Sequence, residues 1–162
     1  MHRPFSTKAT EYGRKNESAA RKQYEQLLGV KVQPTGLTLL SNHHFLGATA
    51  DGIVNSTVIE IKCPLRGENA TVEELIESGY EHVEKLDCGS FVLKRNSPYF
   101  DQVQGEMAIK GCEMCHFILW TRKDLEIISV PFDRDHWLEQ LLPKLLEFFN
   151  NFVKPELLLS HS

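Results

Sequence analysis

Asp51, Glu60 and Lys62 have the types and spacing to do chemistry together. They fall on two strand-like runs, Phe45–Val54 and Thr57–Cys63, joined by Asn55-Ser56, a natural two-residue hairpin loop. With that loop, Val54 faces Thr57, and pairing runs back until Asp51 faces Glu60. Directly opposed residues share a face, with Cβ atoms about 5 Å apart. Alternation along the second strand puts Glu60 and Lys62 on one face and turns Ile59 and Ile61 toward the core. The three polar side chains should therefore converge on one small patch.

Two carboxylates at that distance repel, so a shared proton, a cationic side chain or a metal ion must offset them. An oxygen-rich site selects hard ions, Mg²⁺ or Mn²⁺, over Zn²⁺. A lysine beside it can orient a water or stabilise charge developing on a phosphate. Phosphodiester hydrolysis needs such a set: a metal-bound water, a Lewis acid on the phosphoryl oxygen and a nearby cation. The plainer reading is a surface hairpin with cross-strand Glu–Lys pairs. Ala48, Ala50 and Gly52 weigh against it, because small residues line a strand where a ligand or another backbone comes close.

These strands need a scaffold. Residues 10–28 read as a helix with Thr10 as N-cap and Gly29 at its end. Val30–Leu40 holds two short strand-like pieces around Pro34-Thr35-Gly36. Residues 71–78 read as a short helix, Phe91–Leu93 as a strand, and 98–110 as a helix with Pro98 in its first turn and Gly111 beyond its end. His116–Thr121 and Glu126–Val130 read as strands, and 133–153 as an amphipathic helix rich in Leu and Phe. Strands and helices in this order specify an α/β domain, a central sheet flanked by helices.

With 162 residues, the chain suits one domain spanning 1–162. Its 41% hydrophobic and 25% charged residues are ordinary for a globular protein. Its apolar runs fall far short of the ~20 residues that cross a bilayer. The first residues, Met-His-Arg-Pro-Phe-Ser-Thr-Lys, lack the apolar core of a secretory signal. The expected location is intracellular: nuclear in a eukaryotic host, cytoplasmic in a bacterial or phage system. The Asn-x-Ser/Thr triplets at Asn16, Asn55 and Asn69 are then coincidences. A net charge of −4 argues mildly against a grip on DNA by bulk electrostatics, but bound cations would neutralise several carboxylates. Arg14, Lys15, Arg21 and Lys22 cluster in the first helix, as solvated helix faces often do.

Gly47-Ala48-Thr49-Ala50-Asp51-Gly52 and Val58-Ile59-Glu60-Ile61-Lys62-Cys63-Pro64 together resemble the D…(D/E)xK core of the PD-(D/E)XK nuclease superfamily. The lambda-exonuclease branch, the YqaJ-like viral recombinase family, is the nearer likeness. Asn16-Glu17-Ser18-Ala19-Ala20 with Tyr24-Glu25 resembles its first-helix motif. Tyr99-Phe100-Asp101-Gln102-Val103-Gln104 resembles its Tyr-x-x-Gln-x-Gln helix. The likeness spans residues 12–122. It implies a restriction-endonuclease-like fold and a Mg²⁺-dependent deoxyribonuclease, a 5′→3′ exonuclease on duplex DNA in recombination or in viral or mobile-element replication. Two Mg²⁺ ions, replaceable by Mn²⁺, would be held by Asp51, Glu60 and the backbone carbonyl of Ile61. Lys62 would position the attacking water, Glu17 would reach in from the first helix, and Gln102 would sit near the nucleophile or the scissile phosphate. Gln104 lies about 200° further round the helix, so both glutamines cannot face the site equally. Arg14, Tyr99 and Gln104 are candidate substrate contacts. Relatives include ring-shaped trimers, so the resemblance admits a homotrimer. Family members often carry basic residues before the first helix to hold the DNA end; here that stretch offers only Arg3, Lys8 and Arg14. Rival readings are an endonuclease or single-strand nuclease using the same residues, and a catalytically silent DNA-binding scaffold.

Cys112-Glu113-Met114-Cys115-His116 spells a haem-attachment or half-zinc pattern. Haem attachment needs export; zinc needs further ligands, and Cys63 and Cys88 stand alone; and Cys63, Cys88, Cys112 and Cys115 do not match the iron–sulfur arrangement of some nucleases of this superfamily, one cysteine well before the core and three after it. Buried thiols are the expected state, with no haem and no iron–sulfur cluster. A cysteine redox module would leave the acidic hairpin unexplained. His43 and His44, as neighbours on a strand, point to opposite sides. Trp120 and Trp137 read as core, and the Leu/Phe stripe of the last helix as core or a subunit contact.

Overall fold

The Asn55-Ser56 loop forms a tight turn with φ of 46° and 64°, the left-handed pair through which two twisted antiparallel strands can meet. It joins β3 (Gly52–Val54) to β4 (Thr57–Lys62), paired Gly52↔Ile59, Ile53↔Val58 and Val54↔Thr57. Continued by one residue, this register sets Asp51 against Glu60. The computed structural model describes residues 7–160; Arg3 lies outside them. The chain divides into two compact units, one ending at Phe132 and the other beginning at Asp133.

In the first unit, β4 is an inner strand of a four-stranded sheet ordered β3-β4-β7-β8. It runs parallel to β7 (Met114–Trp120), which pairs antiparallel with β8 (Leu125–Pro131). Parallel neighbours need a long crossover. Here it carries α2 (Val72–Glu77), the hairpin of β5 (Val83–Lys85) and β6 (Phe91–Leu93), and α3 (Pro98–Lys110). With α1 (Lys8–Leu28) this makes the expected α/β fold, a mixed central sheet flanked by helices.

Both sheet faces are covered. Val58, Phe117 and Leu119 pack with Phe100, Val103 and Met107 of α3. Ile59, Ile61, Ile118 and Trp120 pack with Ala20 and Tyr24 of α1. Each large apolar side chain fully buried this way is worth about 1.5–3 kcal/mol. These two layers hold β4 between the helices and leave Glu60 only 4% exposed.

The structure differs from the sequence reading at several places. Helix α1 starts earlier, because Thr7 rather than Thr10 is its cap: the Thr7 hydroxyl accepts the Thr10 N–H at 3.2 Å. The expected strand Phe45–Val54 is two strands. Residues His43–Ala48 form β2, paired with β1 (Thr38–Leu40). The chain then changes partner: Thr35 Oγ1 donates to the Ala50 carbonyl at 2.8 Å, and Gln33 bridges Ile53. That bridge explains Gly52, whose hypothetical Cβ would lie 2.1 Å from Val32 Cγ1 and 3.0 Å from the Gln33 carbonyl. The small residue admits a neighbouring backbone, not a ligand. Strand β5 was not expected, since Glu84 and Lys85 give it no apolar alternation.

The second unit is helical from His136 to Ser160, with π-helical turns at His136–Leu141 and Phe149–Val153 between α4 (Leu142–Phe148) and α5 (Lys154–Ser160). Trp137 is buried, but nothing from Leu142 to Ser160 is. Of the two readings of this stripe, core or a subunit contact, the first does not hold, since its residues are half-buried or exposed in this chain. Phe148 and Phe152, each more than half exposed, stack with ring centroids 5.5 Å apart. Among the described residues no helix is long and apolar enough to cross a membrane.

Candidate active site

The site is built where β3, β4, α1 and α3 come together. The partner change after β2 leaves Asp51 just before β3 with its side chain turned along the sheet. Its Oδ2 accepts the backbone N–H of Ile61 at 2.7 Å. That bond ties the loop before β3 to the end of β4 and brings Asp51 beside Glu60. On β4, Glu60 and Lys62 are two residues apart on the α3 face, and Lys62 Nζ donates to Glu60 Oε1 at 2.7 Å.

Helix α3 is capped by Ser97, whose hydroxyl accepts the Tyr99 N–H, and opened by Pro98. Gln102, one turn in, donates through Nε2 to Glu60 Oε1 at 2.8 Å and accepts from Lys62 Nζ through Oε1 at 3.3 Å. Tyr99, one turn earlier, lies under the ammonium: Lys62 Nζ is 4.5 Å from its ring centroid. His82 packs on the same ring at 4.4 Å and is held by Ser97 Oγ at 3.0 Å from its Nδ1. Lys62 is thus fixed from three sides.

Not every candidate joins this group. Glu17 lines the same cleft, but its Oε1 is paired with Arg21 at 2.8 Å. Gln104 faces the other way, fully buried, and its Nε2 donates to the Pro131 carbonyl at 3.0 Å. A substrate contact through Gln104 is thereby ruled out by burial. Arg14 is exposed on α1 and is not among the residues lining the cleft. That cleft, of about 650 Å³, opens beside Lys62 between α1 and the Ile61–Arg66 segment, with Tyr80 and Tyr99 opposite.

The electrostatics are those of carboxylates in excess. Burial, then the Glu60 charge, pushes the Asp51 carboxyl up to about 6, against the favourable Ile61 N–H bond. Burial opposes the Lys62 ammonium, yet the Glu60 charge and hydrogen bond outweigh it and hold its pKa above the ordinary lysine value. Lys62 is therefore a cation here and not a free base. Burial, then Glu17 and Asp51, pushes the Cys63 thiol up to about 12, which keeps it unreactive. Among the described residues, no three His, Cys, Asp or Glu side chains form a ready metal shell. The donor set fits a hard cation of the Mg²⁺ type, which takes one or two carboxylates and keeps several waters. Asp51 and Glu60 would supply the carboxylates.

Residues 1–113 match the family described as the YqaJ-like viral recombinase domain. The chain belongs to that family. Three solved structures are similar to this YqaJ-like chain. An alkaline exonuclease from Laribacter hongkongensis (LHK-Exo) matches with a TM-score of 0.71 at 23% identity, covering 96% of this chain and 74% of its own. LHK-Exo in complex with dAMP matches at 0.63 and 23%, covering 94% and 77%. A phage-related exonuclease from Haemophilus somnus 129PT matches at 0.57 and 14%, covering 83% and 66%. No curated protein gives a significant match.

Sequence reasoning missed one polar member of this YqaJ-like site. Glu106, one turn after Gln102, is 3% exposed, and its Oε1 accepts the Gln102 Nε2–H at 2.9 Å. Its Oε2 is buried without a partner. Burial, then the Glu60 charge, pushes it up to about 8. The signal was its i+4 spacing from Gln102 beside the apolar Val103 and Met107. The Cys-x-x-Cys-His segment forms no joint site. Cys112 and Cys115 are free, buried thiols on the α3 side. His116 faces α1, its Nδ1 2.8 Å from the Tyr24 hydroxyl.

Proposed function

We propose that this chain is a Mg²⁺-dependent deoxyribonuclease, a 5′→3′ exonuclease on duplex DNA serving recombination or viral or mobile-element replication. The observation that carries this reading is the Asp51–Glu60–Lys62–Gln102 network at the β3–β4 hairpin of a YqaJ-like chain. The names of the similar solved structures support exonuclease action, and the dAMP complex of one of them supports a nucleotide as the ligand. A cleft of about 650 Å³ beside Lys62 has room for one nucleotide.

In this reading Asp51, Glu60 and the Ile61 carbonyl hold one or two Mg²⁺ ions, which Mn²⁺ can replace. When bound, the metal supplies an activated water and a Lewis acid for the phosphoryl oxygen. Lys62, kept protonated by Glu60, donates from Nζ to the entering water or to the phosphoryl oxygen as its charge grows. Gln102 keeps Lys62 and Glu60 in register, and Tyr99 walls the ammonium from bulk water. Glu17 contributes negative charge at the cleft wall. A homotrimer is the assembly that goes with this reading, and light scattering on the purified chain tests it.

The deciding experiment uses linear duplex DNA labelled at the 5′ or the 3′ end, with Mg²⁺ or EDTA, for the wild type and Lys62→Ala. The expected result is Mg²⁺-dependent loss of the 5′ label as mononucleotides, abolished in the variant. DNA binding without cleavage under any metal would sink the reading.

A further inference from the structure

Gln102 sits at the rim of the site and is itself exposed, so packing does not hold its amide; its hydrogen bonds do. Nε2 gives one hydrogen to Glu60 Oε1 at 2.8 Å and the other to Glu106 Oε1 at 2.9 Å. Oε1 then faces Lys62 Nζ at 3.3 Å. The reversed amide would set its carbonyl oxygen against the Glu60 carboxylate and its NH₂ against the Lys62 ammonium, so the direction is determined. With Glu60 alone on the nitrogen side, one hydrogen would be free and the amide could swing away from Lys62. Glu106 supplies the second restraint from a rigid, buried place on α3. It does so at a cost, since its Oε2 is buried without a partner. The hydrogen-bonded link from Glu106 to Lys62 and Glu60 runs through Gln102.

We propose that Glu106 is a positioning residue of this site, which fixes the orientation of the Gln102 amide and through it the placement of Lys62 against Glu60. The proposal rests on the hydrolytic reading above.

The test is a double-mutant cycle on the full chain, using Gln102→Ala, Glu106→Met and their combination, with Mg²⁺ and end-labelled duplex DNA. Glu106→Met should lower kcat by about tenfold or more and leave KM within about twofold, as expected for lost positioning and not lost binding. In the Gln102→Ala background the same change should have no further effect. Glu106→Gln, which keeps a carbonyl acceptor, should lie nearer the wild type in kcat, and Glu106→Leu, which also removes the acceptor, replaces Glu106→Met in the cycle if the latter does not fold. Multiplicative losses in the double variant, or a Glu106→Met enzyme with wild-type kcat, would overturn the proposal. A readout independent of activity is the side-chain amide pair of Gln102 in the ¹H–¹⁵N spectrum. Both hydrogens should be shifted and slow to exchange in the wild type, and one should be released in Glu106→Met; an unchanged pair would also overturn it. A wild type that hydrolyses nothing defeats the functional reading alone, and the amide spectrum still decides the role of Glu106.

Discussion

Replacing Glu106 by Gln should change how the stability of the metal-free protein depends on pH. The wild-type carboxyl is 3% exposed, and burial and Glu60 raise it from the ordinary 4.5 to about 8. Its folded-state pKa lies above its unfolded one, so folding takes up a proton between those values. The contribution of this group to stability is then full below pH 4.5 and is lost as pH rises toward 8, at up to about 1.4 kcal/mol per pH unit. The full interval sets a ceiling of about 5 kcal/mol, and relaxation around the site should bring the real loss to about 2–3 kcal/mol. Glu106→Gln cannot titrate, so this slope should vanish. Its new amide nitrogen inherits the unpartnered place of Oε2, a penalty of about 1–3 kcal/mol at every pH. The observable is accordingly the slope and not the level. Urea unfolding of both proteins at pH 5, 6, 7 and 8, with a chelator present, gives it directly. Curves that run parallel across this range would refute the reasoning.

Gly52→Ala should destabilise the protein by about 2–4 kcal/mol, because the new methyl meets Val32 and the Gln33 carbonyl of the bridging strand; chemical denaturation measures it. Ser56→Gly should stabilise it by up to about 1 kcal/mol, since Ser56 sits at φ 64° in the hairpin turn, readable as a rise in melting temperature. Under the proposed function, Mg²⁺ affinity should fall as pH drops through about 6, where the Asp51 carboxyl takes up a proton. Titration calorimetry at pH 5 and 8 checks this, and equal affinities would remove Asp51 from the ligand set.

What could be read from the sequence depends on whether the deciding contact was local. The apposition of Asp51 and Glu60 was legible because a two-residue turn sets the register of everything beyond it. That Gln102 and Gln104 could not both face the site was legible from helix geometry, since they stand two residues apart; that Gln104 is the one buried against Pro131 was not. The break in the strand at Thr49–Asp51 was not legible, because the apolar run Phe45–Val54 says nothing about which strand supplies its hydrogen bonds. The first half pairs with β1, whereas past the break the partners are Thr35 and Gln33, residues that precede β1. Whether Phe148 and Phe152 belong to the core or to a subunit contact was open for a related reason, since periodicity marks an apolar face but not what covers it.

Glu106 shows the same limit at the site itself. In the sequence it is one acidic residue on a helix, where a solvated face is the default reading. Its meaning comes from β4, which lies 46 positions earlier at Glu60 and is brought alongside α3 by the parallel pairing with β7. Only that packing turns Gln102 and Glu106, one helical turn apart, into two members of one hydrogen-bonded chain ending at Lys62. A motif search finds the residues that touch the reacting atoms, because their spacing is set along one or two strands. The residues that orient them are set by packing between elements, and a buried carboxyl with one satisfied oxygen is the physical trace they leave.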